Sequence, residues 1–301
     1  MGHSAVAHKR VFRGSGFPTI RRMSLTDVSL LFLLQMSFGS LITFAISDRP
    51  ALGPRYFKFG GWVVLGLYGL AGSMVWSEAL AADASGPLQM LGLLIAASAA
   101  ATLLFVSVSG WDRPALESAS MWLALLCGGT VVVSSSLNVG VGVQREGAEV
   151  VLAVAGAVGS SLVLGFTTWG MILGHWYLVS QGLPVSHLAR LVTPMPWIML
   201  GKAAVSGLAL YWMWSAFLGP GNATLDDLMQ RSPSGTMDVF SVWVRIPVGL
   251  AIPAVLALMT RVTVRMEKTQ PATGILYAMC VLVYLGDIIG KMVEGGSGVP
   301  Y

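Results

Sequence analysis

The chain has 301 residues, of which 55% are hydrophobic and 11% charged, and its formal net charge is +4. Soluble domains carry about 25% charged residues, so this composition cannot build a water-facing surface. The sequence pI is near 9.2, yet the basic residues are scattered over loops and one tail, which excludes a stripe that tracks a nucleic-acid backbone.

Residues 1–23 form a basic tail carrying Lys9, Arg10, Arg13, Arg21 and Arg22. The apolar run behind it is longer than the roughly 7–15 residues of a signal-peptide core, so the first span is read as retained. A helix needs about 20 apolar residues to cross the hydrocarbon core. About eight runs meet that need, at 27–46, 59–81, 87–109, 119–139, 149–177, 197–218, 238–260 and 272–293. A short loop over 50–58 separates the first two, and Pro87 opens the third at a position where its missing N–H is harmless. None of the runs alternates polar and apolar residues as a membrane β-strand must. The expected fold is all-α: a polytopic integral membrane protein whose residues 24–301 form a single transmembrane domain.

If side A is the side from which the first span starts, Lys and Arg near the span ends tip the cytoplasmic face weakly toward the opposite side, B. The expected location is a bacterial inner (cytoplasmic) membrane. Cys127 and Cys280 each lie inside an apolar run with no partner cysteine nearby, so both read as small hydrophobes and no metal or iron–sulfur ligand set exists. Gly156, Gly159, Ser160 and Gly165 in the fifth span, and Ala96–Ala101 in the third, read as surfaces for close helix packing. The ten tryptophans read mainly as interface anchors.

Two sets of residues carry candidate chemistry. At the side B end of the overlong fifth span, His175, Trp176 and Tyr177 are followed by Gln181, His187 and, in the next span, Lys202. His175 lies roughly 39 Å along its helix, beyond a hydrocarbon core of about 30 Å, which fits an aromatic interface belt. The functional reading gathers the six around a shallow pocket for quinone, whose carbonyl oxygens need donors and whose reduction takes up protons that an imidazole can relay. Haem b fits less well, because His175 and His187 lie on one side of the bilayer across a Gly-Pro turn. No covalently bound cofactor is expected.

The second set is embedded charge on side A: Glu78, Arg245 and Asp287. Ionisable groups inside a membrane face partners or cavities, so these form either a structural salt-bridge cluster or a proton path. Arg245 precedes Pro247, which frees a backbone carbonyl one turn earlier.

About eight spans, short loops and the His175-Trp176-Tyr177 cluster resemble, in architecture, the membrane subunits of the polysulfide reductase and NrfD type. That resemblance implies a subunit of a respiratory or photosynthetic electron-transfer complex. Such a subunit is not catalytic alone; it anchors redox partner subunits in the bilayer and exchanges electrons with quinone. Two alternatives stand beside it: a proton-coupled small-solute transporter, and a structural or assembly subunit with no site of its own. A tail-shaped groove beside His175 would favour the first. A cavity at mid-membrane between broken helices related by a pseudo-two-fold would favour the second, and tight packing with neither would leave the third.

Overall fold

The computed structural model describes residues 23–82, 86–111, 113–139, 147–179, 184–218 and 246–297. The described residues are helical, with no strand among them. The elements are α1 (Leu25–Ile46), α2 (Arg49–Ala82), α3 (Pro87–Val108), α4 (Pro114–Asn138), α5 (Ala148–Val179), α6 (Ser186–Val192) and α7 (Met195–Leu218). A π-helical turn (Ile246–Ala251) then leads into α8 (Ile252–Arg265), and α9 (Thr269–Ser297) follows. Among the described residues, seven helices are long and apolar enough to cross a membrane: α1 to α5, the π turn joined to α8, and α9. The sixth expected span, α7, is 24 residues long but is not among the seven; Lys202 and Pro196 dilute its apolar stretch.

Local chemistry explains the helix starts. Ser24 caps α1 reciprocally with Asp27: the Asp27 N–H donates to Ser24 Oγ at 3.0 Å, and the Ser24 N–H donates to Asp27 Oδ2 at 2.8 Å. Asp27 is therefore committed to the cap. The loop expected over 50–58 is instead mostly helix. Gly53 adopts φ 73°, a conformation glycine reaches freely, and Pro54 restarts the helix behind it. That restart turns Tyr56 and Phe57 inward, where both are fully buried. The start of the seventh expected span lies outside the described residues, and its end runs on to Arg265.

Helix α1 sits between two groups of helices. It packs on α2 and α4 on one flank and on α5 and α9 on the other. The α1–α5 crossing is backbone against backbone: a Cβ added to Gly165 would lie 2.2 Å from the Gly39 carbonyl carbon. Only glycine permits that approach, as the small-residue pattern anticipated. Buried hydroxyls along α1 return their hydrogen to the preceding turn, Ser37 to the Leu33 carbonyl at 2.8 Å and Thr43 to the Gly39 carbonyl at 2.7 Å. With no water available, this is how a membrane helix satisfies Ser and Thr.

Toward side B the core is aromatic. Trp169 is fully buried, with its ring centroid 4.4 Å from Phe44 and 5.7 Å from Tyr56. Trp169 is thus a core residue, whereas Trp62, Trp76, Trp122 and Trp197 are exposed on the outer surface as anchors would be. Leu70, Leu93, Leu126 and Val281, each well inside its helix, are exposed as well. A surface of leucines at mid-helix suits acyl chains and not water.

Candidate functional site

Asp287, Lys291 and Glu294 fall at i, i+4 and i+7 on α9, which places them on one face. That face turns toward α1 and α5. The Lys291 ammonium contacts Asp287 Oδ2, and the two side chains are 5% and 10% exposed. Asp287 lies inside the apolar span of α9, Thr269–Met292, about 15 Å from the side A end of the helix.

A second lysine, from α7, acts on this carboxylate electrostatically. Lys202 is buried, and its Nζ donates to the Gly156 carbonyl of α5 at 3.0 Å. The route is open because α5 has no side chain there; a Cβ on Gly159 would come within 3.1 Å of Lys202 Cδ. Lys202 and Lys291 are the two cations acting on Asp287, which Ser160 of α5 also faces. Losing one partner of a buried ion pair of this kind costs about 3–5 kcal/mol.

Beside the cluster is a cavity of about 20 Å³, lined by Gln35, Ser136, Ser160, Asp287, Lys291 and Glu294 among others. A water molecule needs about 10–15 Å³ measured this way, together with two or more polar partners. The cavity meets both conditions, and the buried Gln35 Oε1 has no protein hydrogen-bond partner. The arrangement is a wet, charged pocket inside an apolar bundle, with Glu294, half-buried, on its side A flank.

The helix break lies against this cluster. Within the π turn, Gly249 packs on Gly286, the residue before Asp287; a Cβ on Gly286 would sit 2.2 Å from Gly249 Cα. Pro247 in the turn and Pro253 at the start of α8 each remove a backbone donor, so the ladder is weakened on both sides of that contact. A π turn at such a point is common beside functional sites.

The side B residues are not gathered in one place. His175 is exposed, and its Nδ1 lies 3.3 Å from the Tyr277 hydroxyl. Trp176 stacks edge-on to Tyr56 at 6.0 Å, and the Tyr177 hydroxyl donates to the Pro184 carbonyl. His187, on α6, faces Asp48 at 4.0 Å, and Arg190 shares that carboxylate at the same distance. Lys202 belongs to the Asp287 cluster, since α7 begins well below the end of α5 and carries it to the level of Gly159. Gln181 lies outside the described residues.

Of the side A set, Asp287 has Lys291 and Lys202 as its cations. Glu78 lies on α2, which packs on α1 and α3, and it does not line the Asp287 cavity. Arg245 lies outside the described residues. Gln35, Lys291 and Glu294 join the site without having been sequence candidates, and Ser160, expected as a packing residue, faces the carboxylate; the signal for α9 is the i, i+4, i+7 spacing of acid, base and acid. No group of three or more His, Cys, Asp or Glu side chains that could hold a metal ion occurs among the described residues. Comparison with family models, curated proteins and solved structures found no match to this chain.

Proposed function

We propose that this integral membrane protein is a proton-coupled transporter of a small solute, in which Asp287, flanked by Lys291 and Lys202, is the proton-exchanging group. One observation carries the reading: a carboxylate embedded in the bundle, paired with Lys291 and within the field of Lys202, lines a water-sized polar cavity against a broken helix. Embedded ionisable groups of this kind mark ion and proton routes, and discontinuous helices flank the sites of many transporters. Protonating Asp287 would release Lys291 and Lys202 from their shared anion, and the neighbouring Gly249–Gly286 contact gives that change a helix break to act on. The driving gradient is that of a bacterial cytoplasmic membrane.

The quinone-linked reading has less support, because His175, His187 and Lys202 lie in three separate environments. The test is proteoliposomes loaded with a pH-sensitive dye and challenged with panels of amino acids, sugars, organic acids and amines. At least one class should acidify the lumen in the wild type, with Asp287→Asn abolishing the response. Solute-driven acidification that survives Asp287→Asn, or a wild type inert to every class, would overturn the assignment.

A further inference from the structure

Between α7 and the π turn and α8 runs an open groove of about 550 Å³, within the roughly 300–1,000 Å³ typical of ligand sites. Its walls are nearly all apolar, from Trp197, Leu200 and Leu210 on α7 to Ile246, Ala254 and Leu258 opposite. Trp197, Leu200, Ile246 and Leu258 are also exposed on the outer surface, so the groove opens toward lipid. From Ile246 to Arg261 it extends about 22 Å at helical rise, longer than one leaflet's share of a hydrocarbon core of about 30 Å.

The polar atoms of the groove are few and unmatched. Arg261 lines its side B end, where its Nε is buried without a hydrogen-bond partner. Ser206, further along the wall, has a buried hydroxyl that is also without one. One turn beyond Arg261 the helix ends at Arg265, and Lys268 follows, with Glu267 the acidic neighbour. No ion pair to Arg261 occurs among the described residues. The groove is therefore a long apolar slot with a basic mouth, where the half-buried Arg261 has an unpartnered Nε and no anion among the described residues.

We infer that the groove is a specific site for an anionic phospholipid of the surrounding bilayer, with one acyl chain lying along α7 and α8 and the phosphate on Arg261. Basic pockets between membrane helices hold anionic headgroups in this way, and a guanidinium binds phosphate oxygens by charge-assisted, paired hydrogen bonds. A neutral lipid or an uncharged quinone would fill the slot but leave the Arg261 charge unmatched. Because the slot is floored by the π turn, its occupant touches the same helix break that packs on Gly286.

The experiment is native mass spectrometry of the protein released from phosphatidylcholine nanodiscs doped with phosphatidylglycerol, with oleate and a short-tailed quinone analogue as separate arms. The wild type should retain phosphatidylglycerol over phosphatidylcholine. Arg261→Gln should weaken that retention roughly five- to tenfold, the loss expected of one cation near the surface. Gly207→Phe provides the second variant, since a Cβ there meets nothing within 4 Å and the ring projects into the slot without disturbing the bundle. It should displace the lipid with Arg261 intact, while Arg190→Gln, at an exposed arginine on α6, should change nothing. Wild-type phosphatidylglycerol retention in both groove variants would overturn the site, and so would retention of oleate or the quinone analogue in preference to the phospholipid. The readout involves no proton movement, so the site stands or falls separately from the transport reading.

Discussion

Lys202 and Gly156 are joined by a hydrogen bond of 3.0 Å from the side-chain ammonium to the backbone carbonyl, across the contact of α7 with α5. Elsewhere in the bundle Ser and Thr hydroxyls supply such second donors, and here the donor is charged. The bond ties the lysine's position to the shape of α5 and leaves its charge directed at Asp287.

Replacing Lys202 with Met keeps the length of the stem and removes the charge. Detergent-solubilised Lys202→Met should be destabilised, toward the figure of about 3–5 kcal/mol for breaking a buried pair, reduced because Lys291 remains beside Asp287. Adding Asp287→Asn should recover part of the loss. A double-mutant cycle by thermal unfolding would read the coupling, and strictly additive effects would mean that the two residues do not interact.

Gly159 is required for the passage of that stem. Gly159→Leu should displace Lys202, lowering thermal stability by about 1–3 kcal/mol, as overpacking does. The same variant should cut solute-driven proton uptake. Full uptake with Leu at this position would show that the Lys202–Gly156 bond is dispensable.

Gly286 and Gly274 lie on the same helix and make opposite predictions. A methyl at Gly286 meets Gly249 backbone at 2.2 Å, whereas one at Gly274 meets nothing within 4 Å. Gly286→Ala should therefore destabilise the protein by about 1–3 kcal/mol. Gly274→Ala should be neutral or stabilise it by about 0.5–1 kcal/mol. Equal melting temperatures for the two variants would contradict the packing of the π turn on α9.

Trp169 and Trp197 provide a second contrast. Trp169 is fully buried beside Phe44, and Trp197 is 65% exposed on α7. Trp169→Ala should cost about 3–5 kcal/mol, and Trp197→Ala should fall within about 0.5 kcal/mol. Chemical unfolding in mixed micelles compares the two directly.

His175 gives the control for the side B residues. It is exposed and shares a single 3.3 Å contact with Tyr277, so His175→Ala should stay within about 0.5 kcal/mol of the wild type. It should also leave solute-driven proton uptake unchanged, which separates it from Asp287→Asn.

The all-α, membrane-spanning character was legible in the sequence because hydropathy acts on each run separately. Pairing of residues across helices was not, because it depends on how far each helix slides against its neighbour. Lys202 shows this. Counting from the Gly-Pro turn places it near the side B interface with His187, but α6 and the Met195 turn sink α7 into the bundle, and Met195 already lies at the level of Gly170. Pro50 suggested a loop for the opposite reason, since the strong breaker signals of 50–54 concealed a single kink at Gly53. The small residues of α5 signal close packing, as at Gly165, while the space that Gly159 leaves for a lysine has no sequence signature of its own.

Shares of buried surface divide the molecule into a fixed post and an outrigger. In the most apolar stretch of α5, 61% of residues are buried within the protein, against 17% for the π turn and α8. The hold of α8 on the bundle comes from one buried stripe against α9, Pro253, Ala257, Thr260 and Val264, together with the glycine pair beside the acid. A charge change of a single unit at that acid would therefore be felt by the least buried of the described spans.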